Sequence, residues 1–448
     1  MSNAQNWEPG SWRKLTALQQ PTWDKEKMQN VFEELSQVPP LVFAGEIRSL
    51  RSSISNVEKG EGFILQAGDC AESFDAFSAP AIREKLRVIL QMAVVLTYQS
   101  GVPTVKIGRI AGQFAKPRSE DTEARDDVIL PSYRGDIVND IGFSDESRIP
   151  KPKRLIRGYN QSASTLILLR AFTKGGFADL SRVNEWNKEF VATTPEGHRF
   201  EEIAKNITKA LEFMRACGID PSNEHKLHEV DFYTSHEALL LDYEQALTRK
   251  DSTTGDYYDC SAHFVWIGER TRQLENAHVE FMRGINNPIG IKLGPTATGQ
   301  EAVELCDVLN PNRESGKMVL VLRAGAESIG EVAPKIIEDV TKSGHPVTWM
   351  SDPMHGNTFK HASGYKTRHF DDILKEIEGF FGACSKTGVW PGGVHLELTG
   401  DDVTECLGGL DDLADLESRY ETRCDPRLNA RQGLDLAFRV SELLAARR

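Results

Sequence analysis

The sequence predicts an α/β fold, a (β/α)8 TIM barrel carrying an N-terminal extension and a helical insertion between strands 2 and 3. Eight short apolar runs recur along the chain: "GFILQAGDC" (62–70), "VPTVKIGR" (102–109), "VDFYTSHE" (230–237), "HFVWIGER" (263–270), "PIGIKLG" (288–294), "MVLVLRAG" (318–325), "PVTWMSDP" (346–353) and "GVHLELTG" (393–400). Most lack strict polar alternation, which fits strands buried on both faces of a parallel sheet. Helical patterns lie between several of them, and strand–helix alternation repeated eight times points to a closed barrel. The runs also end alike. Their C-terminal ends carry Cys70, Arg109, Glu237, Glu269 with Arg270, Lys292, Arg323, Asp352 with His355, and Glu397. One polar strand end is ordinary loop solvation; eight on one rim mark an active face.

The elements follow in order. Residues 1–60 form an extension whose Trp7, Trp12, Trp23 and "SQVPPLVFAGEIRSL" (36–50) are too apolar for a free tail, so it packs on the barrel or on a neighbouring subunit. The catalytic barrel is expected over 61–448. Residues 78–100 have apolar residues at helical spacing with Pro80 near the start, and 329–344 reads as an amphipathic helix ending on glycine. Strands 2 and 3 lie about 120 residues apart, far beyond an ordinary loop. The excess holds "TPEGHRFEEIAKNITKALEFMRACG" (194–218), where Thr194 can cap, Pro195 suits the first turn, and Phe200, Ile203, Ala204, Ile207, Leu211 and Met214 form one stripe. That helix either covers the outside of the barrel or belongs to a regulatory insertion, placed at about 180–225.

Composition narrows the function. The 448 residues carry 53 basic and 66 acidic side chains, a net charge of −13, which argues against a nucleic-acid lattice. Small anionic substrates stay open, provided Arg and Lys cluster locally. No apolar stretch is long enough to span a membrane, and the N-terminal residues lack a signal-like apolar region, so a cytoplasmic address is expected. Seven cysteines without a C-x-x-C pair imply buried thiols in a reducing compartment.

Two constellations could carry chemistry. Cys70, His355, Glu397 and Asp425 offer a thiolate, an imidazole and two carboxylates. Singly they read as a core thiol, a loop histidine, a strand-end acid and a turn residue before Pro426. Together on one rim they suit a catalytic divalent ion (Mn²⁺, Co²⁺, Fe²⁺ or Zn²⁺) better than a closed structural zinc site. Arg109, Lys116, Arg118, Arg270, Lys292 and Arg323 lie at or just beyond strand ends, with "GRIAGQFAKPRS" (108–119) densest. Such a cluster fits substrates with several anionic groups, above all phosphorylated small molecules. Lys292 in "GIKLG" keeps a rival open, a metal-free Schiff-base aldolase.

Read together, the motifs resemble class II 3-deoxy-D-arabino-heptulosonate 7-phosphate synthase, the first enzyme of the shikimate pathway. The resemblance runs through "WEPGSWR", "QAGDCAESF", "GRIAGQFAKPRS", "LPSYRGDIVN", "WIGERTRQL", "GIKLGPT", "SDPMHGNT", "GGVHLELTGDDVTECLGG" and "YETRCDPRLN". It implies condensation of phosphoenolpyruvate with erythrose 4-phosphate, with release of phosphate, on a metal-dependent barrel. Carried over, Cys70, His355, Glu397 and Asp425 become metal ligands, with Mn²⁺ or Co²⁺ foremost. Arg109, Glu269, Arg270, Lys292 and Arg323 become the phosphoenolpyruvate site. Lys116, Arg118 and Ser119 of "KPRS" become the erythrose 4-phosphate dock. Lys116 is then the proton donor and Glu269 the water-orienting group. The resemblance also implies a homo-oligomer (dimer or tetramer), an aromatic amino-acid effector acting at the insertion, and an open question over a chorismate mutase partner. An enzyme acting on a five-carbon sugar phosphate and a catalytically silent scaffold are the competing readings. Cys424 beside Asp425 is expected near Cys70, so a Cys70–Cys424 disulfide is expected when the metal is absent.

Overall fold

The computed structural model describes residues 7–186, 194–217, 229–409 and 416–447. Eight parallel strands close into a barrel in sequence order: β1 (Phe63–Gly68), β2 (Thr104–Arg109), β3 (Phe232–Glu237), β4 (Phe264–Ile267), β5 (Ile289–Leu293), β6 (Met318–Leu322), β7 (Thr348–Ser351) and β8 (Pro391–Glu397). Seven lie within their apolar runs, and β8 begins two residues before its run, at Pro391. Several, such as β1, β4, β5 and β6, are buried at every position, which explains their missing alternation.

The longer helices among the described residues are, in chain order, α1 (Lys25–Gln37), α2 (Ala44–Glu58), α3 (Ala79–Ser100), α4 (Lys153–Lys174), α5 (Pro195–Ala216), α6 (Gly299–Leu309), α7 (Ile329–Ser343), α8 (Phe370–Thr387) and α9 (Ala430–Ala445). α3 starts where its residues dictate. Ser78 accepts the amide of Ala81, Pro80 occupies the first turn, and Gly101 closes the helix at φ 68.

Two hydrophobic layers result. Inside the barrel, Ile64, Ile107, Phe264, Trp266, Val321 and Met350 meet Leu50, Ile54 and Val57 of α2, so the N-terminal extension plugs the bottom of the barrel. Outside, the helices bury the other strand faces. α1 packs on α4 through Met28, Val31 and Leu35.

Between β2 and β3 the chain forms an antiparallel hairpin (Thr122–Arg125 with Val128–Pro131), α4 and α5. The hairpin and α4 escape the sequence reading because neither has a strong single-sequence pattern. α5 forms where its Thr194 cap and Pro195 predict, with Phe200, Ile203, Ala204 and Leu211 buried. It lies on the outer side of α3 and α9. Much of "NEWNKEF" and of the segment leading to 225 falls on 187–193 and 218–228, outside the described residues. Among the described residues no helix is long and apolar enough to cross a membrane.

Candidate active site

The strand ends converge on one cavity of about 440 Å³, lined by Arg109, Lys116, Arg118, Ser119, Glu269, Arg270, Lys292, Arg323, His355 and Asp425, with Glu237, Trp266 and Lys366. Ten of the twelve residues singled out from sequence line it directly. Cys70 and Glu397 sit just beneath.

Cys70, Glu397 and Asp425 are buried, and their ligand atoms lie within 4.8 Å of one another. The end of β1 can come this close to β2 because residue 68 is glycine. A Cβ there would meet the Arg109 carbonyl oxygen at 2.6 Å, and the backbone takes φ 147. His355 approaches from β7, its Nε2 3.1 Å from Glu397 Oε1. Its other nitrogen, Nδ1, is 2.7 Å from Asp352 Oδ2. Burial opposes ionisation of Asp352, but His355 and Lys292 hold its carboxyl well below the usual range, so it accepts the Nδ1 proton. Nε2 thereby faces the Glu397 carboxylate.

One positive charge already stands among these acids. Lys116 Nζ is 2.8 Å from Cys70 Sγ, 2.6 Å from Asp425 Oδ2 and 3.7 Å from Glu397 Oε1. Burial would lower this ammonium, but Asp425, Cys70 and Glu397 push it well above the ordinary lysine value. Burial likewise works against Glu397, yet His355, Lys116 and Arg368 keep it well below the carboxylate range. Cys70 goes the other way: burial, the hydrogen bond with Cys424 and the Glu397 charge push its thiol up. A soft sulfur, an oriented imidazole and two buried carboxylates that demand a cation fit a divalent ion. Cys424 lies within hydrogen-bonding reach of Cys70, and both are free thiols.

The basic wall is graded. Arg109 is almost saturated: it donates to Asp69 O at 2.9 Å, to Cys70 O at 3.2 Å, to Glu397 Oε1 at 3.0 Å and to His395 Nε2. Of the five N–H groups of a guanidinium, one on Nη1 is left for a ligand. Lys292 Nζ is 2.8 Å from Asp352 Oδ2 and 5.6 Å from the Trp266 ring centre. Arg323 lines the cavity with a buried Nε that has no protein partner, the arrangement of a donor waiting for an anion. Arg270 Nη2 donates to Ser119 Oγ at 2.6 Å, tying the "KPRS" loop to β4.

Sequence reasoning missed three groups. Arg368 is completely buried behind Glu397 and donates to its Oε2 at 2.8 Å, to Thr358 Oγ1 at 2.8 Å and to the carbonyl of Pro426. Lys366 Nζ is 3.0 Å from Asp425 Oδ1. Both stand on the hairpin Phe359–Lys360/Lys366–Thr367 or just after it, far from any strand end of the barrel, so no local signal marked them. Glu237, noted only as a strand end, lines the cavity with an Oε1 that has no protein partner. By contrast Glu269 is engaged: Arg272 grips it at 3.0 and 3.1 Å, and Gly294 N donates to it at 2.6 Å.

A (β/α)8 barrel whose mouth sets buried Cys70, Glu397 and Asp425 beside a wall of Arg and Lys has the architecture of an enzyme for small anionic substrates. Residues 7–441 match the model of the class-II DAHP synthetase family. This chain is 57% identical over 436 residues to the phospho-2-dehydro-3-deoxyheptonate aldolase of Streptomyces coelicolor, covering 97% of this chain and 96% of that one. It is 49% identical over 435 residues to phospho-2-dehydro-3-deoxyheptonate aldolase AroG of Mycolicibacterium smegmatis, covering 96% and 92%. The chain belongs to the class-II DAHP synthetase family, and so to the transferases. A truncated 3-deoxy-D-arabino-heptulosonate 7-phosphate synthase from Thermotoga maritima aligns over 86% of this chain and 88% of its own, at 14% identity and a TM-score of 0.36. That likeness is too remote to bear on function.

Proposed function

We propose that this chain condenses phosphoenolpyruvate with erythrose 4-phosphate to 3-deoxy-D-arabino-heptulosonate 7-phosphate and phosphate, with a divalent metal ion held by Cys70, His355, Glu397 and Asp425. The observation that carries the reading is the single cavity in which six cations from the sequence analysis face the buried Cys70/Glu397/Asp425 group. When bound, the ion supplies Lewis-acid polarisation of an aldehyde carbonyl.

The side chains supply the rest. Arg109, Arg270, Lys292 and Arg323 hold the carboxylate and phosphate of phosphoenolpyruvate, fixing its C3 at attack distance from the aldehyde carbon. A new C–C bond forms there, and Lys116, whose ammonium stands beside Cys70, Asp425 and Glu397, gives a proton to the aldehyde oxygen. Water adds at C2 and loses a proton to a carboxylate. Collapse of the phosphohemiketal breaks the C2–O bond and releases phosphate. Glu269 was the sequence choice for orienting the water; its oxygens are occupied by Arg272 and Gly294, so Glu237 enters as a second candidate on the unpartnered Oε1. Burial, with Arg109 beside it, lowers the Lys292 ammonium and the Asp352 carboxylate at 2.8 Å opposes that shift, so borohydride trapping decides between anion binding and a Schiff base.

An aromatic amino-acid effector is part of the same proposal. Between α3 and the insertion lies a pocket of about 610 Å³, lined by Leu90, Val94, Trp186 and Ile207, with Lys106, Glu229 and Asp231 as charged lining. Apolar walls suit a ring, and one basic and two acidic groups offer partners for the carboxylate and ammonium of an amino acid. Homo-oligomerisation and a chorismate mutase partner rest on the family resemblance, and a cytoplasmic address on the sequence's lack of a signal-like or membrane-spanning stretch.

Phosphate release with both substrates, before and after chelation and with borohydride present, tests the core reading. Release that needs both substrates and metal, with no trapped adduct, is expected. Release with a five-carbon sugar phosphate instead, or with neither, overturns it. Titration of phenylalanine, tyrosine and tryptophan, singly and combined, tests the effector; inhibition by at least one is expected.

A further inference from the structure

We infer that the N-terminal extension is part of the active-site framework, with the consecutive residues Gln19 and Gln20 acting as positioning residues for the two rim loops that follow β2 and β3. The inference deepens the proposed function and rests on reading "KPRS" as the erythrose 4-phosphate dock.

The geometry is a pair of two-point clamps. Gln19 Oε1 accepts the backbone N–H of Arg118 at 2.8 Å, and Gln19 Nε2 donates to the backbone carbonyl of the same residue at 3.1 Å. The same Oε1 also accepts from Arg134 Nη1 at 3.2 Å. Both main-chain polar groups of Arg118, in the middle of "KPRS", are therefore satisfied by one side chain from 99 residues away. Gln20 repeats the device on the next loop: its Nε2 donates to Leu239 O at 2.6 Å and its Oε1 accepts from Leu241 N at 3.1 Å. That loop leads directly from Glu237, a cavity residue.

The clamps hang on a fixed support. Upstream, Thr16 O accepts from Ala277 N at 3.0 Å, and Trp12 Nε1 donates to Gln245 Oε1 at 3.0 Å. Gln19 itself sits at φ 62, a left-handed conformation that a residue other than glycine holds only when its surroundings impose it. Other ties on the "KPRS" loop are Lys116 N to Arg134 O at 2.9 Å, Ser119 to Arg270, and the Arg118 guanidinium to Glu123 Oε1 at 2.9 Å, none of which holds the Arg118 backbone. Without Gln19 the Arg118 backbone would have to be ordered by the substrate as it binds, at the expense of affinity.

The test is steady-state kinetics of Gln19→Met, which keeps the side-chain length and removes the amide. The KM for erythrose 4-phosphate is expected to rise about tenfold (~1.4 kcal/mol), while the KM for phosphoenolpyruvate moves less than twofold and kcat falls less than threefold. Gln19→Glu keeps the acceptor for Arg118 N and Arg134 and loses the donor to Arg118 O, so an intermediate rise is expected, and it stands in if the methionine variant does not fold. Hydrogen exchange in the 116–120 peptide should quicken in either variant. Arg118→Ala is run alongside. If Arg118→Ala raises the erythrose 4-phosphate KM and the Gln19 variants do not, the positioning role is overturned. If Arg118→Ala has no effect, the substrate assignment of "KPRS" is what fails. Equal rises in both KM values also overturn the inference, because general loosening would do that.

Discussion

Replacing Arg368 with methionine removes a buried cation behind the metal-type site while roughly preserving side-chain volume. Arg368 and Glu397 are both fully buried, and the guanidinium donates to Oε2 at 2.8 Å. Removing one member of such a pair costs ~3–5 kcal/mol because the other charge is left uncompensated. Lys116, Arg109 and His355 still face the other oxygen of Glu397, which places the expected loss near the lower end, about 3 kcal/mol. The bonds to Thr358 Oγ1 and Pro426 O add about 1 kcal/mol each. Since Pro426 follows Asp425, Arg368 also joins two of the four candidate ligands, and metal affinity should drop ~10–100-fold.

Metal retention against a graded series of chelators measures the second quantity. Calorimetry at saturating metal measures the first with metal linkage held constant. Arg368→Lys should fall between, keeping the charge and losing the fork. The pH dependence has a definite sign. Glu397 is depressed in the folded state, so its contribution is present above the unfolded glutamate value of ~4.3 and is lost as pH falls through the folded value. The gap between wild type and Arg368→Met should therefore narrow in acid. A variant that keeps its metal at the same chelator concentrations and melts at the wild-type temperature would refute this account of how the ligands are held.

Lys116→Met should lower kcat by at least ~100-fold if the ammonium donates the proton; a pure KM effect would remove that role. Metal-free protein exposed to diamide should form the Cys70–Cys424 disulfide and regain activity with dithiothreitol and metal, and free thiols at both positions by mass spectrometry would exclude it. Lys317, buried at the start of β6, is pushed down to about 7 chiefly by burial, with Arg51 adding to it. A depressed lysine makes its stability contribution above its unfolded value of ~10.4 and loses it as pH falls through about 7. Lys317→Met should remove this term, flattening the rise in stability between those values by up to ~5 kcal/mol; an unchanged pH profile of melting would count against it.

The barrel was legible because buried parallel strands must be apolar on both faces and must stop where the chain reaches the solvent-filled mouth. Both requirements leave local marks, as "GIKLG" and "MVLVLRAG" show. Lys292 and Arg323 could be placed for the same reason: strand ends in this fold share one rim. α4, the 122–131 hairpin and the roles of Arg368 and Lys366 were not legible, since each is defined by a partner far along the chain. Arg368 reads as one more loop arginine until the fold puts Glu397 against it.

Sequence alone thus determined the architecture, the rim residues and, through its motifs, the family, because local patterning and strand-end position specify them. Only the tertiary structure decided how those groups are held: Lys116 set among three acidic groups, Glu269 occupied while Glu237 is free at one oxygen, and Gln19 reaching back to Arg118. Charge compensation and hydrogen-bond saturation depend on distances across the fold, and no spacing along a chain encodes them.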